Sequence, residues 1–410
     1  MVSNGNLREL WAIHRYRPLL TSRFISNLGN GVAPIGLAFG VLALPDGSPT
    51  ALSIVLIAQA IPLVLVLPFG GVIADRIGRA RVIGSTDILM FVITAVIGAL
   101  FITGTASIAL LVPLQIVVGV LNGLWYPAYS GVVPDVVPDQ HLQGANGWIS
   151  IGSNIALIFG TAFGGLLVAA IGSGWTILFD AFTFLIAGFL VWSIRLSSTA
   201  TKSDEGMWGE LVHGWKVFIS FRWVVVVVAS FSLFVMAWRA FEGVIGPYAA
   251  KTWYDGPSSW GFVVGGEAVG LLVGALLSTR WRPRRPLLMG MLLSLLYALY
   301  VFGWALDIPL AALVVLAVGA GLSVELFMVW WLTALQTHIP RESLSRVGSY
   351  DAMGSLMFGP IGLALAGPVL AAIGLTPALL IVAAIMFVVI VVGLLFKSVR
   401  SLSLTGTEAA

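Results

Sequence analysis

No cysteine occurs among the 410 residues. Disulfide staples, thiolate metal sites and cysteine nucleophiles are therefore excluded, and no redox argument about compartment can be made. Charge is nearly as scarce: Asp, Glu, Lys and Arg make up 10% of the chain, against about 25% in an average soluble domain. So little charge cannot coat a soluble fold of this length. The four histidines, His14, His141, His213 and His338, all fall outside the apolar runs, in segments expected on the cytoplasmic side. No histidine relay or histidine metal site is expected within the apolar runs, and no cofactor is implied. A Gly-x-x-x-x-Gly-Lys-Ser/Thr phosphate loop is also missing, so nothing points to ATP as an energy source.

What is abundant is apolar surface. The hydrophobic share is 59% and the mean hydropathy +1.02, which marks a polytopic membrane protein. A span needs about 20 mostly apolar residues, and twelve such runs are present: 19–44, 51–73, 82–103, 108–130, 147–171, 175–195, 223–249, 258–279, 286–306, 309–336, 347–372 and 375–396. Each is expected to be a helix, because a segment in lipid must satisfy its own backbone hydrogen bonds. The first run is too long for a signal-peptide core and is followed by no small-residue cleavage pattern, so it is expected to remain as a span. The breaks carry turn chemistry, as in Pro45-Asp46-Gly47, Gly172-Ser173-Gly174 and Asp307-Ile308-Pro309. Only the stretch 196–222 is long and polar. It is read as a linker between an N-terminal six-helix bundle, 1–195, and a C-terminal one, 223–410.

Basic residues are retained on the cytoplasmic side of bacterial spans. With both termini placed there, nineteen of the 21 Lys and Arg fall inside, leaving Lys251 outside and Arg239 within a helix. The basic balance is thus topological, and no nucleic-acid surface is implied. The two halves also repeat. A shift of 202 residues lays Gly152, Ser153, Gly160, Ala162, Gly165 and Ala169 to Gly172 on identical residues from Gly354 to Gly374. This predicts parallel six-helix repeats, an architecture of secondary transporters that alternate access by rocking their halves.

The run Gly71-Val-Ile-Ala-Asp75-Arg76-Ile-Gly78-Arg79 resembles the loop signature between the second and third helices of the major facilitator superfamily. Val133-Pro134-Asp135-Val136-Val137-Pro138 with Leu142 and Ala145-Asn146, and Ser259-Trp-Gly-Phe, resemble the drug/proton antiporter branch that includes macrolide, tetracycline and siderophore exporters. The chain departs from that pattern at Thr161, where antiporters commonly have proline, at Asn30, where relatives often have an acid, and at Gln115, where other drug exporters have arginine. The resemblance implies an all-α fold of twelve helices in two bundles. It also implies a cytoplasmic gate at Gly71, Asp75, Arg76, Gly78, Arg79 and Asp135. In the second half Thr279 stands in the place of Asp75 while basic residues persist. The arginines can therefore be topological anchors, whereas Asp75 reads as a breakable latch.

A charge at mid-membrane costs about 2.5 to 3.5 kcal/mol on insertion scales. Glu242, Glu267 and Glu325 lie within runs, and burial and neighbouring charge tune a carboxyl's proton affinity, so these three are the candidates for proton coupling. Arg239 stands one turn before Glu242 and could neutralise it as a fixed ion pair. Glu325 has no basic neighbour one turn away and ranks first. Glu267 sits beside Gly266-x-x-x-Gly270-x-x-x-Gly274, a spacing that lets helices approach closely. Asp87 and Asp180 are closer to helix ends, where hydration or end packing accounts for them. Asn122, Trp125, Tyr126 and Tyr129 form one helical stripe, and Asn27 and Asn30 lie one turn apart. Both sets are candidates for a cavity taking a bulky amphipathic ligand, with interhelical hydrogen bonding as the alternative. Trp223, Trp253, Trp260 and Trp304 near span ends suit an interfacial belt.

The expected function is proton-coupled export of a hydrophobic or amphipathic small molecule by a monomer in a bacterial cytoplasmic membrane. The alternatives are an importer or uniporter on the same fold, or an enzyme acting on lipid-linked substrates. The last would need a cluster of nucleophile, acid and base, and the sequence offers none.

Overall fold

A computed structural model describes residues 7–138, 141–194, 215–216, 218–278, 280–339 and 341–403. Most of the expected linker lies outside these residues. The described chain is helical, with no strand among the described residues, and divides into two compact units, Met1–Lys202 with Asp255–Gly261, and Ser203–Tyr254 with Phe262–Ala410.

The first unit contains α1 (Leu7–Ala12), α2 (Tyr16–Leu42), α3 (Pro49–Ile77), α4 (Arg79–Ile102), α5 (Ile108–Val136) and α6 (Leu142–Trp192). Local chemistry sets several boundaries. Ser48 caps α3, its Oγ accepting from the Ala51 amide at 3.1 Å, and Pro49 starts the helix where a missing N–H does no harm. Gly78, at φ 105, separates α3 from α4; a side chain there would strain the turn. In α6 the sequence predicts a loop, but 51 residues run as helix with one interruption, Gly172 at φ 83 and ψ 163. At 1.5 Å per residue this is far longer than a bilayer core of about 30 Å, so α6 carries two spans joined at a glycine kink.

The second unit contains α7 (Arg222–Ala240), a π-helical turn (Phe241–Ile245), α8 (Gly246–Trp253), α9 (Pro257–Ser278) from Phe262 onward, α10 (Pro286–Ala305), α11 (Leu310–His338), α12 (Arg341–Ile373), α13 (Leu375–Leu395) and α14 (Lys397–Arg400). The run from Arg222 to Trp253 is one span. Among the described residues ten helices are long and apolar enough to cross a membrane, and Met357–Ile373 adds a shorter one. With α6 counted as two, these make up the twelve spans. Large apolar side chains such as Leu65, Phe69, Val315 and Leu395 stand exposed on the exterior, as a lipid-facing surface requires.

Packing repeats between units. In the first, α2 and α4 pack on α6, α3 on α5, and α4 on α5. In the second, α7 packs on α12 and α13, α10 on α13 and on α11. Gly266 and Gly270 of α9 abut the Val314 and Val318 carbonyls of α11, and Gly274 abuts Leu322, which is the close approach that the glycine spacing predicts. The six-span shift relates each pairing to its counterpart. Equivalent glycines act alike as well. A Cβ on Gly160 would collide with the Leu28 carbonyl of α2, and one on Gly362 with the Met236 carbonyl of α7. Gly172 and Gly374 share the left-handed conformation, at φ 83 and 84.

The expected interfacial tryptophans behave differently. Trp304 is fully buried, ringed by Phe241 and Tyr254, and Trp260 and Trp223 are buried too. Apolar packing inside the bundle outcompetes the interface for these three rings. Nearby, the Tyr254 hydroxyl donates to the Ile308 carbonyl at 2.6 Å. Burial, with Asp307 beside it, pushes that hydroxyl up to about 12.

Candidate functional site

The π-turn carries the first site. A π-helical turn widens the helix by one residue per turn and often marks a functional position; here it sets Glu242 facing α9 and α10. Tyr297 of α10 contacts both carboxyls through one hydroxyl, 3.0 Å from Glu242 Oε1 and 3.2 Å from Glu267 Oε1. The same oxygen accepts from Trp238 Nε1 at 2.7 Å. The shared hydroxyl makes the two carboxyls neighbours. A hydroxyl has one proton to donate, so Tyr297 can satisfy one carboxylate at a time. Two adjacent carboxylates repel, and one added proton turns that repulsion into a hydrogen bond. Glu267 is buried, and its second oxygen has no hydrogen-bond partner. The arrangement can take up and release a proton.

Arg239 is not the fixed counter-ion that its spacing allows. No ion pair joins it to Glu242 among the described residues. Its guanidinium lies over the Trp238 ring at 5.0 Å, with the stem against Gly359 of α12. Helical i, i+3 spacing places two side chains near each other only where the backbone stays α-helical. Here a π-turn begins at Phe241, so the α-helical spacing does not hold between Arg239 and Glu242. Glu325 stands apart from the pair, half-buried on α11 with its Cβ beside Gly274.

The second site lies in the first unit. Trp125 and Tyr129 stack, with centroids 4.9 Å apart and planes at 8°. Arg23 of α2 lies over both rings, 4.6 and 4.2 Å from the centroids. Asp87 of α4 faces Arg23 and the Trp125 indole, and is only 3% exposed. Tyr126 stands edge-on to Trp125 at 5.5 Å and is exposed. The asparagines contribute less than the stripe suggests. Asn122 Nδ2 donates to the Val118 carbonyl and Asn27 Nδ2 to the Arg23 carbonyl, each on its own helix, while Asn30 is exposed.

In the signature loop Arg79 pairs with Asp135 of α5 at 3.3 Å, with about a third of each side chain exposed. Arg76 is exposed and Gly78 forms the turn. The side chains of Gly71 and Asp75 lie outside the described residues. Asp87 and Asp180, expected near hydrated helix ends, are buried, Asp180 to 2%. Asp180 packs against Gly29 with Thr183 as its neighbour. Sequence reasoning missed Arg23, Trp238 and Tyr297. The signal for Arg23 was its place inside the first helical run, where a topological anchor has no need to sit. Tyr297 had no signal, because its partners are 55 and 30 residues away. A groove of about 490 Å³ along the second limb of α6, lined by Ile171, Trp175, Leu178, Phe179 and Phe182, holds none of the candidate residues.

The family profile described as transmembrane secretion effector, within the major facilitator superfamily, matches residues 11–403. The chain is 25% identical over 401 residues to the multidrug efflux pump Tap of Mycolicibacterium fortuitum, covering 94% of this chain and 96% of that one. It is 24% identical over 295 residues to the staphyloferrin A transporter of Staphylococcus aureus, 70% and 71% of the two chains. Among solved structures it resembles the nucleoside transporter NupG, with a TM-score of 0.77 and 12% identity over 93% of this chain and 99% of that one. It also resembles a bacterial homologue of the human lysosomal transporter Spinster, with a TM-score of 0.70 and 14% identity over 95% and 98%.

Proposed function

Because the chain belongs to the transmembrane secretion effector family of the major facilitator superfamily, and is therefore an integral membrane transporter and not an enzyme, we propose that it exports a hydrophobic or amphipathic small molecule in exchange for protons. The observation that carries the coupling is the Glu242–Tyr297–Glu267 cluster on a π-turn. A proton arriving at the pair turns carboxylate repulsion into a shared hydrogen bond. That change is local to the seventh span, which has a widened turn able to answer it. Glu325 remains a second candidate, and Arg239 supplies positive charge one turn from Glu242. Similarity to efflux pumps supports the outward direction; the nucleoside transporter resembles the chain in fold alone.

In this reading the protein sits in the bacterial cytoplasmic membrane as a monomer with both termini cytoplasmic. Asn27, Asn30, Asn122, Trp125, Tyr126 and Tyr129 line the substrate path. Gly71, Asp75, Arg76, Gly78, Arg79 and Asp135 form the cytoplasmic gate. The test is flux in proteoliposomes loaded with amphipathic fluorescent dyes and given an imposed pH gradient. Wild type should show gradient-driven flux that Glu267→Gln abolishes. Flux indifferent to the gradient in wild type sinks proton exchange. Loss in Glu325→Gln alone moves the coupling site to α11.

A further inference from the structure

We propose that the Trp125–Tyr129 platform is an organic-cation subsite whose resting occupant is the protein's own Arg23. This deepens the export reading by naming a substrate class, and its physiological meaning rests on that reading.

The argument starts from how Arg23 is held. A structural arginine packed between helices needs partners for five N–H donors, normally carboxylates or carbonyl oxygens. Arg23 makes no ion pair among the described residues, and its Nε is buried without a hydrogen-bond partner. What holds it is soft: two ring faces at 4.6 and 4.2 Å, with the buried carboxyl of Asp87 as the nearby opposite charge. Contacts of a cation with ring faces shift an equilibrium by roughly two- to thirtyfold. A ligand of matching charge can therefore displace the guanidinium.

The surroundings describe that ligand. Stacked aromatic faces with a buried carboxyl nearby suit a weakly hydrated cation with spread charge, such as a guanidinium, a quaternary ammonium or a phosphonium. A neutral or anionic ligand gains nothing from Asp87. The exposed ring of Tyr126, edge-on to Trp125, offers a wall for the apolar remainder of an amphipath. Arg23 is tethered to α2 and lies in its second turn, so it competes at a fixed effective concentration. It sets a threshold: only cations that outbid it on the rings are taken up.

The test is equilibrium binding of radiolabelled tetraphenylphosphonium to the full-length protein in nanodiscs, with tetraphenylborate as an equally hydrophobic anion. Arg23→Gln removes the competitor and should tighten phosphonium binding about tenfold. Trp125→Leu added to it should abolish that gain, and Asp87→Asn should weaken binding. Tetraphenylborate should not follow the phosphonium pattern. Unchanged or weaker phosphonium binding in Arg23→Gln overturns the proposal, as does an equal gain for the borate. If that variant does not fold, Arg23→Lys keeps the charge for folding and should shift binding the same way by a smaller factor; no tightening overturns the proposal equally. No gradient is imposed, so failure of proton-driven flux leaves these results standing. Intact flux with unaltered binding rejects the subsite alone.

Discussion

Replacing Tyr297 with phenylalanine removes one oxygen and three contacts. The indole of Trp238 loses the acceptor at 2.7 Å, and Glu242 and Glu267 lose the donor between them at 3.0 and 3.2 Å. A buried donor left without an acceptor costs about 1–3 kcal/mol. Interhelical hydrogen bonds in membranes average nearer 0.6 kcal/mol, since the unfolded chain in lipid finds other partners. The stability loss is therefore expected at about 1 kcal/mol, a few degrees of melting temperature at most. Transport should suffer more. Tyr297 is the hydroxyl that both carboxyls contact, so a carboxylate that has just released its proton loses its donor. With about 1.4 kcal/mol for each tenfold in rate, gradient-driven flux should fall at least tenfold in Tyr297→Phe. Dye flux in proteoliposomes with an imposed pH gradient reads the first quantity, and a fluorescence melting curve on the same preparation reads the second. Tyr300→Phe is the control, since Tyr300 shares the helix and touches Tyr297 edge-on, while its hydroxyl makes no hydrogen bond to either carboxyl among the described residues. Wild-type coupling in Tyr297→Phe, or equal losses in both variants, would refute the reasoning.

Helix packing gives a separate test: Gly362→Leu should abolish folded protein in size-exclusion profiles, because any Cβ there collides with the Met236 carbonyl, whereas Gly147→Ala, with open space around it, should elute as wild type. The Arg79–Asp135 pair is a third of the way exposed on both sides, so Arg79→Gln should change thermal stability by less than about 1 kcal/mol. Transport should nonetheless fall severalfold in the same variant if the loop gates the cytoplasmic side, and a melting curve beside a flux assay separates the two.

The spans were readable because bilayer physics acts on each run by itself: length and hydropathy suffice, and every long apolar run became a helix. Glycine packing was readable for a similar reason, since Gly266, Gly270 and Gly274 recur at one-turn spacing on a single helix. The site was only partly readable. Glu242 and Glu267 stood out because charge inside an apolar run is costly. Their common partner Tyr297 did not, because a tyrosine in a span is cheap and its neighbours come from other helices. The Arg239–Glu242 spacing could not decide between an ion pair and separate roles, as i, i+3 pairing assumes α-geometry and a π-turn begins between them. At Arg23 the positive-inside count absorbed an arginine whose place inside the first helical run was the signal for another role.

The duplication shows where chemistry was free to diverge. Gly160 meets the carbonyl of Leu28, and Gly362 meets that of Met236, so these two carbonyls mark the same height on the first helix of each unit. Six residues further on stand Pro34 in α2 and Glu242 in the π-turn. Proline removes a ladder N–H, and a π-turn lengthens the ladder by one residue. Both units therefore weaken the backbone of their first helix at one level, by different means. The packing glycines on either side did not change, because a side chain there would separate the helices. The defect itself tolerates any residue that interrupts the ladder. In the first unit it holds a ring that neither binds nor releases a proton. In the second it holds a carboxyl beside a second carboxyl and a tyrosine. In the export reading proposed above, a helix that yields at that level converts protonation into movement only where the group that yields can also titrate, so that reading looks for its proton chemistry in the second unit and for its ligand in the aromatic nook of the first.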